Sequence, residues 1–239
     1  MEEQLYKYFH ENTKLFKDIT YKKEYSIKKI KLDHLEQFEN YELMDISNND
    51  EFSKILKTRK STRNFSNDAV ERKSFLLLLN MAVYSNYKYK LAYPSAGGLN
   101  SIDIYVSVFN VDGIKKGVYF LDKFNGKIFL LKEGNYIEDY YKITLGQNCN
   151  YNSSFCINYV AKFDNIISKY DQRGYRYIFL DAGHISQNFY LVSNYLGIGS
   201  VSIGGFLDDE INRMLNLNVI NEQCIYLQYF GRETDGNIG

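Results

Sequence analysis

The sequence predicts an α+β domain, with helices and antiparallel strands mixed along the chain and no regular strand–helix–strand rhythm. Three observations predict it. In "SIDIYVSVF" the residues Ile102, Ile104, Val106 and Val108 alternate onto one face of a half-buried strand. "GVYFLDKFNGKIFLLKEG" reads as a hairpin with Asn125 and Gly126 at the turn. "RYIFLDAGHISQNFYLVSNYLG" reads as a long helix that Gly197 caps. At 239 residues the chain is long enough for one large domain with a real core.

The remaining elements follow in order. Residues 1–45 are polar and lysine-rich, with weak alternation in "YKKEYSIKKIK", and read as an N-terminal arm. Residues 46–239 read as the domain. "NDEFSKILKTRK" places Phe52, Ile55 and Leu56 at helical spacing. "SNDAVERKSFLLLLNMAVYS" opens on cap residues and predicts a second, well-buried helix. "YIEDYYKITLG" predicts a helix and "FCINYVAKF" a strand. "GSVSI" and "QCIYLQYF" predict strands on either side of a short helix, "DDEINRMLNL".

Composition excludes several function classes. Lysine plus arginine equals aspartate plus glutamate, 29 each, so no basic field points to nucleic acid or an anionic membrane surface. The longest apolar run, "FLLLL", is far below the roughly 18–20 residues of a membrane span. The start, "MEEQLYKYFHENTK", has no apolar signal core. Cys149, Cys156 and Cys224 form no CxxC, and only three histidines accompany them. That argues against a zinc site or a disulfide framework and fits a reduced, cytoplasmic setting with no metal.

Three stretches carry unusual chemistry. Arg59, Ser61 and Arg63 alternate where a helical pattern ends, and two guanidiniums with a hydroxyl suit a phosphate. A solvated charge run is the plainer reading. "YPSAGGLNS" joins the chain's one proline, Pro94, to bare backbone that a flat ligand can approach. An ordinary tight loop explains it as well. In "SVSIGGF" Gly204 and Gly205 end a strand just before a helix, so their amides could face an acceptor. A simple strand-to-helix turn is the default.

Taken together and in order, the stretches resemble the nitroreductase-like FMN flavoproteins, and among them the SagB-type dehydrogenases of thiazole- and oxazole-containing peptides. "RKSTRNF" resembles the family's RRSxRxF, and "PSAGGLNSIDIYV" its PSAGGLYPIEIYV. "KYDQRGYRYIFLDAGHISQNFYLVSNYLGIGSVSIGGFLD" tracks its KYGxRGYRYxLLEAGHxxQNLYLxAxxLGLGxxxIGGFxD. "FHENTK", residues 9–14, resembles a short motif near the start of these proteins. The likeness runs from about residue 50 to "GRE" at 231–233. One departure is Asn100-Ser101, where the family commonly has Tyr-Pro. It changes the loop beside the flavin and bears on substrate shape. The short arm is expected to lack any larger partner-docking module.

The resemblance implies a nitroreductase-like homodimer with two FMN sites, each built from both chains. Arg59 and Ser61 would meet the phosphate or ribityl chain, Arg232 would reach the same phosphate, and Arg63 would lie near the N1/O2 edge of the ring. A cation there favours the anionic reduced flavin. Pro94, Ser95 and Ala96, with Gly97, would cover the ring from the partner subunit. Gly204 and Gly205, after Ile203, would face its N5 edge.

The family oxidises a peptide thiazoline or oxazoline to the azole, giving up a hydride and a proton, with dioxygen usually recycling the flavin. The Lys-Tyr pair, here Lys169 and Tyr170, would take the proton. An amine serves as a base near neutral pH when burial or a neighbouring cation disfavours its charged form, and Arg173 and Arg176 lie close in sequence. Both residues reach one substrate only if 168–174 is a loop or a bent turn. His184 reads as a packed interface residue, and Gln187 and Asn188 as helix packing or pocket wall. Other readings are an NAD(P)H-dependent nitro- or quinone reductase, in which the Lys-Tyr pair is incidental, and a non-enzymatic scaffold for a cyclodehydratase complex.

Overall fold

The computed structural model describes residues 5–15, 37–44, 50–84, 90–147 and 151–234. The lysine-rich 21–31 stretch and Cys149 lie outside them.

Period-two alternation builds the sheet. β1 (Ile102–Val108), β2 (Gly117–Asp122), β3 (Lys127–Glu133), β4 (Phe155–Lys162), β5 (Gly199–Ile203) and β6 (Glu222–Gly231) form one six-stranded sheet in the order β3-β2-β1-β4-β6-β5. Every neighbouring pair is antiparallel. Along β4, Phe155, Ile157, Tyr159 and Ala161 enter one core while Cys156 and Val160 enter the other. Both faces of the central strands are therefore covered. The expectation of a half-buried first strand needs correcting, since Ser107 on its other face is fully buried and bonds to Tyr140 at 2.6 Å.

Seven α-helices complete the described residues: α1 (Leu5–Thr13), α2 (Glu51–Thr58), α3 (Arg72–Val83), α4 (Ile137–Ile143), α5 (Phe163–Tyr170), α6 (Gly174–Tyr195) and α7 (Asp208–Leu215). α3, α5 and α6 pack on one face of the sheet, and α4 and α7 on the other. Gly197, at φ 67°, closes α6 as its position predicts. α3 starts later than its apparent cap. Ser66 and Asp68 bond to each other at 2.8 Å, while Glu71 precedes the helix without a side-chain cap bond. The hairpin turn spans Lys123–Gly126. Asp122 accepts from the amides of Phe124 and Asn125, and Gly126 takes the left-handed conformation at φ 62°.

α1 lies against the domain. Tyr6 and His10 are buried, and the rings of both contact Phe163 and Tyr175. Lys14 pairs with Asp209 at 2.9 Å, and the Leu15 amide donates to Asp208 at 3.0 Å. These bonds bring Leu15 beside Gly205.

Candidate functional site

α2 ends at Thr58, and the chain turns extended at Arg59. The next residues run beside β5 and the end of β6. The Thr62 amide donates to Ser200 at 2.8 Å, and the Ser66 amide to Arg232 at 2.8 Å. Thr62 and Phe65 are buried. Arg59 and Ser61 gather at Tyr190 of α6. The Arg59 guanidinium lies 5.3 Å from the Tyr190 ring centroid, a cation–π contact. Ser61 Oγ is 3.3 Å from the Tyr190 hydroxyl, which accepts from the Ser202 amide at 2.7 Å. Arg63 shares a cleft of about 400 Å³ with Asn64, Ile203, Gly204 and Gly205. Gln147 forms its far wall and donates to the Gly205 carbonyl at 3.0 Å.

Arg232 lies elsewhere. It pairs with Glu71 at 3.0 Å, in a groove it shares with Lys60 and Glu233. Burial pushes the Glu233 carboxyl up, but bonds from Thr62 and Lys60 outweigh this and hold it below its ordinary value. Among the described residues neither Arg59 nor Arg63 has a carboxylate within salt-bridge reach.

A second cluster forms around the loop from Pro94 to Gly98. Gly97 and Gly98 take φ of 59° and 68°, a region that glycine enters freely. Lys169 Nζ donates to the Gly97 carbonyl at 3.4 Å. A Cβ at Gly97 would collide with both the Lys169 ammonium and the Tyr170 hydroxyl. The two side chains thus meet at one backbone position. Of the two conditions for a shared reach, a loop or a bent turn at 168–174, the structure has the turn but not the loop. Lys169 and Tyr170 close α5, and the bend comes after them, at Asp171 with φ 50°. Consecutive helical residues diverge by about 100° rather than the roughly 180° of a strand, so both can reach forward.

Asp181 anchors this loop from α6. It accepts from Ser95 Oγ at 2.5 Å and from the Ala96 amide at 3.0 Å. The helix therefore carries two clusters, Asp181 with the loop and Tyr190 with Arg59 and Ser61. Nine residues at about 1.5 Å each separate them by ~13 Å along the axis.

Asn188 bonds the carbonyls of Ala82 and Ala92 at 3.1 and 2.9 Å, tying α3 to α6. His184 and Gln187 lie on the exposed stripe of α6. Sequence reasoning missed Tyr190, Gln147, Lys123 and Asp181. Only Asp181 carries a signal, as an acid on the buried period set by Ile178, Ala182 and Ile185.

A model of the nitroreductase family matches residues 56–232. The chain belongs to the nitroreductase family. Within it, MJ1384, a nitroreductase-like protein of Methanocaldococcus jannaschii, is 28% identical over 183 residues, 76% of this chain and 90% of that protein. The microcin B17-processing protein McbC of Escherichia coli is 28% identical over 81 residues, 34% of this chain and 30% of McbC. Among solved structures, the E. coli microcin synthetase McbBCD complex with truncated pro-MccB17 bound superposes with a TM-score of 0.76 at 23% identity. That match covers 97% of this chain and 92% of the other. A nitroreductase-like structure from Anabaena variabilis gives 0.69 at 25% identity over 77% of this chain, which spans only 38% of that one. These likenesses establish the nitroreductase fold, an antiparallel six-stranded sheet flanked by helices. No described helix is long and apolar enough to cross a membrane.

Proposed function

We propose that this protein is an FMN-dependent dehydrogenase that oxidises thiazoline or oxazoline rings in a ribosomally made peptide to thiazoles or oxazoles. The observation that carries the reading is the convergence of Lys169 and Tyr170 on the Gly97 backbone. Similarity to a microcin-processing protein supports a peptide substrate, and a synthetase-type complex containing a cyclodehydratase is the natural partner.

The residues present fit FMN. Arg59 and Arg63 are cations without a carboxylate partner among the described residues, Ser61 and Tyr190 offer hydroxyls, and a Cβ at Gly204 would meet nothing within 4 Å. Arg59 and Ser61 would hold the phosphate or ribityl chain, and Arg63 the ring edge, beside the backbone of Ile203, Gly204 and Gly205. Pro94, Ser95, Ala96 and Gly97 of a second copy would cover the ring, which makes the active form a homodimer. Arg232 would join the phosphate by leaving Glu71. Bound there, FMN supplies a two-electron acceptor. Lys169 and Tyr170 take the proton that leaves the azoline ring as it becomes aromatic. Substrate and partners of this kind belong to the cytoplasm.

The family match also favours a second reading, NAD(P)H-dependent reduction of nitro compounds or quinones. Mass spectrometry of a cyclised peptide incubated with the purified protein separates the two. Azoline oxidation removes about 2 Da per ring, the mass of the hydride and proton together. An unchanged peptide, with rapid NADPH consumption on a nitro compound, overturns the first reading in favour of the second.

A further inference from the structure

Besides Lys14, which pairs with Asp209, two charged side chains of opposite sign are buried among the described residues, and the oxidation as described uses neither. Asp181 is 3% exposed and Lys123 4%. A buried charge is costly unless strong hydrogen bonds satisfy it. Both charges find those bonds on one segment, residues 95–103, which they hold from opposite ends.

Asp181 grips the start. Its carboxylate accepts from Ser95 Oγ at 2.5 Å and from the Ala96 amide at 3.0 Å. Ser95 Oγ in turn accepts from the Asn100 amide at 2.9 Å, closing the loop on itself. Lys123 grips the end. It opens the β2–β3 turn, yet its side chain runs inward, donating to the carbonyls of Asn100 and Ile102 and pairing with Asp103 at 3.1 Å. Between the grips, Gly97, Gly98 and Asn100 all take left-handed conformations, at φ 59°, 68° and 53°. For asparagine that region is unfavourable without support. Charge-assisted bonds from two buried side chains supply it.

We propose that Asp181 and Lys123 are positioning residues for the reaction, a two-ended clamp that fixes Gly97 against Lys169 and Tyr170. The role of that pair rests on the function proposed above. The clamp itself rests on the bonds just described. Reacting groups tolerate displacements of about 0.5 Å, and a shift of about 1 Å costs on the order of 100-fold in rate. A loop freed at either end moves the Gly97 carbonyl away from Lys169. The pair then meets the substrate in the wrong place, although it stays intact.

The test compares the FMN-loaded wild type with Asp181→Asn, Lys123→Met and Asp181→Glu. Asparagine preserves shape and removes the charge. Glutamate keeps the charge. Amide hydrogen exchange is read at Ala96 and Asn100, and kcat and KM are measured on a cyclised peptide. Kept saturated with FMN, Asp181→Asn and Lys123→Met should exchange these amides about 10-fold faster and lose roughly 10–100-fold in kcat with KM nearly unchanged. Asp181→Glu should recover most of both. Unchanged protection in the charge-removing variants overturns the clamp. So does lost protection with wild-type kcat. So does equal loss of structure in the Asn and Glu variants, which makes Asp181 a packing residue alone. If the wild type leaves the peptide untouched, the function proposed above fails, and the exchange data judge the clamp separately.

Discussion

Lys169 and Tyr170 owe their shared reach to three features: the end of α5, the left-handed turn at Asp171, and a glycine opposite. Remove the glycine's bareness and neither side chain fits; remove either side chain and the loop keeps its anchor on Asp181. That separation makes the pair testable. Lys169→Ala and Tyr170→Phe should bind FMN with an unaltered spectrum and oxidise azolines roughly 10²–10⁴-fold more slowly, the usual contribution of a positioned base. Hydride transfer from a nicotinamide needs no such base, so nitro-compound reduction should persist in both. Single-turnover flavin reduction by a cyclised peptide decides it: wild-type rates in both variants would remove the pair from the chemistry. Alternation brings Arg59 and Ser61 together at Tyr190, but Arg63 lines a separate cleft with Asn64, Ile203, Gly204 and Gly205. Tyr190 was not legible from the sequence. It is one of 23 tyrosines, and only the fold brings it under Arg59.

At the scale of elements, α1 is the part whose attachment depends on a titrating group. Burial lowers the pKa of His10 from its ordinary 6.5, and Lys14 pushes the same way. Asp208 and Glu11 oppose both, and the Tyr175 hydroxyl sits 3.3 Å from Nδ1. With its folded value depressed, His10 binds fewer protons docked than free. Docking therefore weakens as pH falls through 6.5 and levels off below the folded value. Asp208, raised by burial, acts with opposite sign in a window that opens at 3.8. Amide exchange across residues 5–13, corrected for intrinsic rates, should be faster at about pH 5.5 than at about pH 7.5, where histidine loses its proton. His10→Gln should flatten the difference. Equal protection of the wild type at both values would show that His10 does not govern docking. The sheet and the long helix were readable because their apolar periods are long and uninterrupted. Helix starts were not. Ser66 and Asp68 look like a cap for α3 but satisfy each other, and α3 begins four residues beyond Asp68. The packing of α1 was equally hidden, since Tyr6 and His10 show little apolar periodicity on their own.

At the scale of the whole molecule, the Asp181 and Tyr190 clusters lie about 13 Å apart along α6. α6 also keeps an open face. Phe179 is 43% exposed and Leu180 58%, and Gly183 and His184 continue the stripe at helical spacing. Phe52 and Leu56 of α2 and Leu76, Leu77 and Met81 of α3 are exposed as well, on helices that pack against α6. Scattered apolar side chains are ordinary on a surface, but three packed helices carry them here, and such side chains in number can mark an interface. Burying the exposed part of each side chain stabilises association by only a fraction of the roughly 1.5–3 kcal/mol of full burial. The proposed homodimer needs the loop of residues 93–99 of a second copy to reach the Arg63 cleft of the first, and this face is its candidate docking surface. Flavin retention should then follow dimerisation, because a ligand bound only by the assembled state is released as that state dissociates. In analytical ultracentrifugation read at flavin absorbance, dilution should move the flavin from the dimer boundary to free FMN, with no flavin-bearing monomer between. Leu180→Glu, which places a charge in the middle of the stripe, should shift that release to higher protein concentration. A monomer that holds its flavin through the dilution series would show that one chain completes the site alone.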